Sequence, residues 1–309
     1  MINGNLNSFH GLSVVDFNSP GDIANFATTA PRIRCEYDGD HELSDLLGML
    51  LDEPGIEQVR ALVFGVWMEG GEATDVSPRP AIELLVANKS KLPNLEAIFF
   101  GDIVSEENEI SWITNGDYSP VWSAFPRLVE FGTRGGNDLR LGKIRHATLK
   151  KLVIETGGLP AGVAREALDA DAPLEHLELW FGDANYGLTT TIRDLEPLFS
   201  GNLFPNLKTL ALRNCDFADD IAERLASSPL LDRIEELDLS MGTLQDRGAL
   251  ALAGSGRLGH LKRLDITHHF VSAETIKTLA AATPNLIADE PSEPDTWGGE
   301  VHYYVSVAE

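Results

Sequence analysis

The sequence predicts an α/β solenoid in which β-α units stack on one another, and three observations support this prediction. Leucine is in excess and occurs 42 times in a chain of 309 residues. Between residues 207 and 281 the chain aligns with itself without gaps when it is shifted by 27 positions. Within each copy the apolar residues change from strand spacing to helix spacing. Such a unit cannot bury its apolar side alone and must stack on its neighbours.

The first half of each copy predicts a short strand. Three apolar columns recur there in the order L-x-x-L-x-L, and alternate residues of a strand point to opposite faces, so the second and third columns face one core. The columns are Leu207, Ile234 and Leu261; Leu210, Leu237 and Leu264; and Leu212, Leu239 and Ile266.

The second half of each copy predicts a helix. Ile221 is followed four residues later by Leu225, and Ile276 is followed by Leu279, which places each pair on one helical face. Stacked copies then enclose a core between a parallel strand layer and a helix layer.

The strand pattern continues upstream at less regular intervals. Its first residues are Val59, Leu95, Leu128, Leu149 and Leu174, and polar loops at about 68–79 and 102–123 lengthen two intervals. A weaker strand is expected over 32–37 and another over 302–307. These observations predict an N-terminal cap at 1–30, eight to nine repeats over 31–288 and a C-terminal cap at 289–309.

This pattern resembles the ribonuclease-inhibitor type of leucine-rich repeat. The resemblance implies a right-handed horseshoe with a parallel sheet on the concave side and helices on the convex side. A narrower resemblance to one bacterial leucine-rich-repeat family, which implies no particular activity or substrate, rests on the segments SWITNGDYSP, TRGG, LELWFGDANYG, SPLLDRIEELDLSMG and LDITHHFVS. The chain departs from the repeat pattern at the usual Asn or Cys column. Only Cys215 matches there, and four glycines predict close backbone approach instead.

Charge and composition exclude several classes of protein. The chain has 24 Lys and Arg against 48 Asp and Glu, a net charge of −24, so nucleic acid and anionic membranes are poor partners. No apolar run approaches the length of about 20 residues that a membrane-spanning helix needs, and the first residues do not resemble a signal peptide. Two cysteines make no disulfide framework. A cytoplasmic protein is therefore expected.

Catalytic and metal-binding motifs are weak throughout. Cys215 lies in a structural column and is expected to be buried, as is Cys35. His268 and His269 are adjacent on an extended segment and point to opposite faces, which does not suit one metal ion. Gly142-Lys143 lacks the other residues of a phosphate loop. The sequence therefore predicts no enzyme, no bound metal and no cofactor.

The remaining candidate site is the concave strand face and its adjoining loops. Residues between the inward leucines form columns there, and Trp, Tyr and Arg are the types that dominate protein interfaces. The candidates for binding a partner are Phe99, Arg134, His176, Glu178, Trp180, Tyr186, Arg213, Asp238, Asp265 and His268. Two alternatives for Trp180 stay open: it packs under its own loop, or the register slips by one residue and it belongs to the core.

The function that these features favour is a non-catalytic scaffold that binds a protein or peptide, of unknown oligomeric state. One alternative is an accessory regulator that supplies Arg134 or Arg213 to the active site of a partner enzyme or GTPase. A less favoured alternative is a metal-dependent hydrolase that uses Asp238, Asp265 and His268. The loop 102–123, with Trp112, Tyr118 and Trp122, is either a binding element or a packing element of the convex side.

Overall fold

A computed structural model describes residues 2–35, 41–67 and 76–308. The chain forms two compact units. The N-terminal unit contains Ile2–Ile154 with Asp169–Pro173, and the C-terminal unit contains Glu155–Leu168 with Leu174–Ala308. In each unit strands alternate with helices, and successive strands of the main sheet are neighbours. This arrangement confirms the predicted α/β repeat fold.

The N-terminal unit begins with an antiparallel strand pair and continues with parallel strands. Its strands are β1 (Ser8–Phe9), β2 (Leu12–Asp16), β3 (Thr29–Ile33), β4 (Ala61–Phe64), β5 (Ala97–Phe100), β6 (Glu130–Arg134) and β7 (Lys151–Glu155), and its helices are α1 (Leu43–Leu51), α2 (Arg79–Ala87) and α3 (Ser119–Ala124). The strand predicted over 32–37 lies earlier, at β3, and its residues 36 and 37 are outside the described residues. Most of the polar loop 68–79 also lies outside the described residues.

The C-terminal unit contains the regular repeats. Its strands are β8 (His176–Gly182), β9 (Thr209–Cys215), β10 (Glu236–Asp238), β11 (Arg263–Asp265), β12 (Leu286–Ile287), β13 (Asp295–Trp297) and β14 (Glu300–His302), and its helices are α4 (Ala161–Leu168), α5 (Glu196–Phe199), α6 (Ala218–Ser227), α7 (Asp246–Gly254) and α8 (Ala273–Ala282). Leu237 pairs with Leu210 on one side and with Leu264 on the other. The predicted register of the repeats is therefore confirmed.

The loop 102–123 contributes to the core between strands and helices of the N-terminal unit. Tyr118 and Trp122 are buried against Phe131, with ring centroids 5.2 and 4.9 Å away. The Trp122 indole Nε1 donates a hydrogen bond to the Leu141 carbonyl at 2.7 Å. Trp112 alone among the three aromatic residues of the loop is exposed, at 50%. Packing therefore accounts for two of these three side chains.

The glycines in the Asn or Cys column allow close contact between backbones, as predicted. Gly182 has a φ of +78°, and a Cβ atom at this position would lie 1.7 Å from the Gly157 carbonyl oxygen. Cys215, in the same column, is fully buried, and burial raises the pKa of its thiol. Cys35 is also buried. Both cysteines therefore have the packing role that the sequence predicts.

The N-terminal segment covers the sheet face of its own unit that lies opposite the helices, which we call the front face. Phe9 packs edge-on against Phe99 with the ring centroids 6.0 Å apart, in an apolar cluster that also contains Ala30, Ala61, Val63 and Ala97. Phe99 also lies across Gly132, where a Cβ atom would be 2.4 Å from its ring. The expectation that Phe99 is exposed on this face is therefore wrong.

A buried carboxylate fixes this N-terminal segment. Asp102 is fully buried and accepts a hydrogen bond from the Arg32 guanidinium at 2.8 Å. The same carboxylate accepts the backbone N–H of Leu6 at 3.1 Å, and its backbone carbonyl accepts the side-chain amide of Asn5 at 2.9 Å. Because a buried charge needs partners, this arrangement couples the position of residues 5 and 6 to the pairing of Asp102 with Arg32.

The C-terminal segment forms a hairpin, β13–β14, and then a strap of residues 303–308. The strand predicted over 302–307 is wrong, because β14 ends at His302. The strap hydrogen-bonds to three equivalent positions in successive repeats, all with positive φ: Asn214 (φ 53°), Met241 (φ 68°) and His268 (φ 58°). Their partners are the backbone groups of Val307, Ser306 and Tyr304, respectively.

Leu237→Ala should lower the free energy of unfolding by about 2 to 5 kcal/mol, because it leaves a cavity between two neighbouring leucines. The measurement is a denaturant titration followed by circular dichroism. Leu250→Ala is the control, since Leu250 lies on α7 and is 47% exposed. Equal midpoints for the two variants would contradict the packing described for Leu237.

Asn214→Ala should lower the free energy of unfolding by about 2 to 4 kcal/mol. The buried Asn214 side chain accepts the Val307 N–H at 2.9 Å and donates to the Val307 carbonyl, and alanine tolerates a positive φ less well than asparagine. Amide hydrogen exchange over 303–308 should accelerate as well. The exposed Asn202→Ala is the control, and equal exchange in both variants would rule out the strap contact.

Candidate protein-binding surface

The front face of the C-terminal unit presents polar and aromatic side chains on β8 to β11 and in the residues that follow β10 and β11. The strand pairing places Trp180 beside Arg213 and Asp238 beside Asp265. We call the side chains on this face the front array: His176, Glu178, Trp180, Thr209, Arg213, Glu236, Asp238, Ser240, Arg263, Asp265 and Thr267. They alternate along each strand with buried leucines, as the sequence predicts.

Glu178 connects three side chains of the front array. Its carboxylate accepts hydrogen bonds from the Trp180 indole Nε1 at 2.7 Å and from Arg213 Nη1 at 3.0 Å, and it lies 3.2 Å from His176 Nε2. Burial opposes ionisation of Glu178, but the His176 contact, the Arg213 charge and the indole N–H outweigh it and hold the pKa of this carboxyl at about 2. Glu178 is therefore a fixed anion.

Arg213 lies against Trp180 and links two strands. Its guanidinium carbon is 4.9 Å from the centre of the Trp180 ring, a cation–π arrangement. Arg213 Nε donates to the Ser240 hydroxyl at 2.9 Å, and Nη2 lies 2.9 Å from the Met241 sulfur. Trp180 is on the predicted face, but Arg213 covers it and only 7% of its surface is exposed. The expectation of an exposed tryptophan is therefore wrong, and the pairing of Trp180 with Arg213 excludes a register slip of one residue.

Two aspartates form the next part of the front array. Asp238 Oδ1 accepts the backbone N–H of Ser240 at 2.9 Å, and Asp265 Oδ1 accepts that of Thr267 at 2.8 Å, so the same turn recurs in two successive repeats. Arg263 Nη2 lies 2.5 Å from the Asp265 carboxylate and 3.6 Å from that of Asp238. The aspartates are thus oriented by the backbone and share one guanidinium.

The pKa values of these aspartates shift in opposite directions. Burial raises the pKa of Asp238, and the nearby Arg213 charge and the Ser240 hydrogen bonds only partly compensate. Burial also opposes ionisation of Asp265, but the Thr267 and Arg263 hydrogen bonds outweigh it and lower its pKa. The two carboxylates therefore differ in how strongly the surroundings favour their charged form.

The structure brings six of the ten predicted site residues together and places four elsewhere. The six are His176, Glu178, Trp180, Arg213, Asp238 and Asp265. Phe99 and Arg134 lie in the N-terminal unit, where Arg134 is buried and donates to the Ile103 carbonyl at 2.6 Å, so its predicted exposure is wrong. Tyr186 is half-buried in a short 3₁₀ turn, Ala184–Tyr186.

His268 contacts the C-terminal strap. Its Nε2 lies 3.0 Å from the Tyr304 carbonyl oxygen and its Nδ1 lies 3.2 Å from the Ser292 hydroxyl. Asp238 and Asp265 interact with Arg263 as described above.

Over the described ranges, no cluster of three or more His, Cys, Asp or Glu side chains is arranged to hold a metal ion. The same ranges contain no helix long and apolar enough to cross a membrane.

Sequence reasoning missed a second group of interface-type residues. Trp297, Tyr303 and Tyr304 are exposed at the C-terminal hairpin and its strap, a segment interpreted from sequence as a cap. The available signal was the Gly298-Gly299 pair after Trp297, because two glycines between extended residues are typical of a tight hairpin turn.

Comparison with known proteins agrees with the repeat architecture. A leucine-rich-repeat family model matches residues 205–226 and 234–253. The crystal structure of a Bacteroides fragilis protein is similar over 89% of this chain and 76% of that chain, with 31% sequence identity and a TM-score of 0.78. This chain is a leucine-rich-repeat protein. It belongs to the same family as the Bacteroides fragilis protein.

A second structural match is more distant. The crystal structure of the yeast Rad7–Elc1 complex contains a chain with 14% identity and a TM-score of 0.41, over 88% of this leucine-rich-repeat protein and 74% of that chain. No curated protein matches the sequence.

Glu178→Gln should remove a pH-dependent part of the stability. The folded-state pKa of Glu178 is about 2, below the ordinary 4.5, so its ionised form contributes about 3 kcal/mol above pH 4.5, and this is lost as the pH falls from 4.5 through 2. The difference in unfolding free energy between wild type and variant should therefore be largest near pH 6 and shrink towards pH 2. Glu274→Gln, at an exposed helix position, is the control. A difference independent of pH would contradict this account.

Proposed function

We propose that this leucine-rich-repeat protein is a non-catalytic scaffold that binds a protein or peptide on the front array. The observation that supports this proposal is the connected set of side chains around Glu178, in which hydrogen bonds and ring stacking fix the charged groups before any partner binds. Groups that are already ordered lose little conformational entropy on binding, which favours specific recognition.

The charge of the front array favours a basic partner. It contains four carboxylates against two guanidinium groups, namely Glu178, Glu236, Asp238 and Asp265 against Arg213 and Arg263. The whole chain carries a net charge of −24. Complementary charge increases the association rate and selects against acidic partners. We therefore propose a partner segment that carries lysine or arginine.

The contacts of Arg134 and Arg213 favour the binding scaffold over the alternative in which one of these arginines enters a partner's active site. Arg134 is buried and hydrogen-bonded to Ile103, and Arg213 interacts with Glu178, Ser240 and Trp180. Either side chain would have to leave these contacts to reach a partner, and for Arg213 this would leave the buried Glu178 carboxylate without its counter-charge.

Two further parts of the proposal concern organisation and location. We propose that residues 1–30 and 289–309 act as caps of the repeats over 31–288. We also propose a cytoplasmic location, which suits a chain whose two cysteines are too few for a disulfide framework.

The test is affinity purification from native cells with wild type and Glu236→Lys, followed by calorimetry with the purified partner. Glu236 lies on the front face and is only partly buried, so the substitution should leave the fold intact. We expect Glu236→Lys to lower the affinity for the partner at least 10-fold. Glu274→Lys, an equally charge-reversed position on the helix side, should bind as wild type does.

The same titration at two salt concentrations completes the test. If recognition depends on opposite charges, the affinity of the wild type for the partner should fall as the salt concentration rises. Equal affinities for wild type and Glu236→Lys, together with a salt-independent affinity, would remove the front array from the binding site.

A further inference from the structure

The C-terminal hairpin is a separate two-stranded sheet with both faces in solvent. β13 and β14 pair antiparallel, and Gly298 and Gly299 make the turn with φ values of +63° and +86°. All six strand residues are exposed. A two-stranded hairpin gains little stability without a packing partner. The exposed faces of β13–β14 are therefore available for burial against another protein.

Exposed apolar side chains concentrate at this hairpin. Half of the large hydrophobic residues that are exposed in the described parts of the chain lie within 297–304: Trp297, Val301, Tyr303 and Tyr304. Trp297 is 80% exposed, far more than the exposed tryptophan of the loop 102–123. Trp and Tyr are the residue types that most often dominate binding energy at protein interfaces.

The strand register determines what surrounds Trp297. Trp297 is directly opposite Glu300, and Asp295, two residues away on the same strand, is directly opposite His302, so these four side chains share one face of the hairpin. An indole ring flanked by two carboxylates has the features that a cationic side chain requires, because the ring attracts a cation and each carboxylate can accept its N–H donors.

The base of the hairpin is fixed to the C-terminal unit. Phe270 packs edge-on against Tyr303 and Tyr304, with ring centroids 5.1 and 5.4 Å away. The strap then makes the hydrogen bonds to the three repeat positions described above. The hairpin is thus presented from an ordered base, which lowers the entropic cost of binding.

Charge complementarity identifies the kind of partner. Residues 278–309 contain six carboxylates and no lysine or arginine; the acids are Asp289, Glu290, Glu293, Asp295, Glu300 and Glu309. A second copy of a chain with a net charge of −24 would be repelled from this segment. A basic segment would be attracted to it.

We propose that the hairpin β13–β14 docks a basic segment of a partner protein, with an arginine or lysine side chain placed on Trp297 between Asp295 and Glu300. This surface is distinct from the front array and does not depend on the function proposed for it. Arginine suits the site better than lysine, since its planar guanidinium can stack on the indole while it donates to both carboxylates.

The first experiment uses the chain of 309 residues, labelled with 5-fluorotryptophan, and ¹⁹F NMR. The probe is a short synthetic peptide of alternating glycine and arginine, with glycine–glutamate and glycine–lysine peptides for comparison. The chain has five tryptophans, and the resonance missing from Trp297→Phe identifies Trp297. We expect the arginine peptide to shift this resonance most, the lysine peptide less and the glutamate peptide not at all.

Variants then separate recognition from folding. Trp297→Ala should lower the affinity for the arginine peptide at least 5-fold, as measured by calorimetry. The conservative Asp295→Asn/Glu300→Gln pair should also lower this affinity, without changing the hairpin geometry. Trp112→Ala removes the other exposed tryptophan and should bind as wild type does. Equal affinity of wild type and the Asp295→Asn/Glu300→Gln pair, or equal loss in Trp112→Ala, would overturn the proposal.

Two other outcomes would also overturn it. If Glu236→Lys abolishes peptide binding while Trp297→Ala leaves it unchanged, the peptide occupies the front array, which would support the proposed function and not the hairpin site. If sedimentation shows a concentration-dependent dimer that Trp297→Ala abolishes, the hairpin is a contact between copies of this chain.

Discussion

The hydrogen-bonded register between neighbouring parallel strands is the constraint on which the other features of the repeats depend. Leu237 is held between Leu210 and Leu264, and in the same strand pair Asp238 is held opposite Asp265. A slip of one residue would exchange the leucines with the charged side chains of the front array. The buried leucines therefore fix the position of every charged group on the opposite face.

The same register also orders the edge where the strands end. Asn214, Met241 and His268 are equivalent positions with positive φ, and each interacts with the backbone of the strap. The strap of residues 303–308, which contains no repeat itself, is thus bound by equivalent groups from three successive repeats. At the other end of the chain, the segment that contains Leu6 and Phe9 is fixed by a different device, the buried Asp102–Arg32 pair.

The periodic part of the structure could be predicted from sequence, and the parts that depend on non-periodic segments could not. Leucines that recur at a constant interval determine strands, register and faces. The burial of Phe99 depends on Phe9, which is far away in the chain and outside the repeat. The continuous apolar runs Ala61–Phe64 and Ala97–Phe100 were a usable signal, because strands buried on both faces lack polar alternation. The burial of Trp180 depends on the rotamer of Arg213, which spacing does not specify.

The front array limits the length of the partner segment that this face can accept. Neighbouring strands of a sheet lie ~4.8 Å apart. The front array occupies β8 to β11, and three strand spacings give a footprint of only about 14 Å. A ligand of that length is about four or five extended residues, so selectivity on this face has to come from a few side chains in fixed positions and not from a long interface.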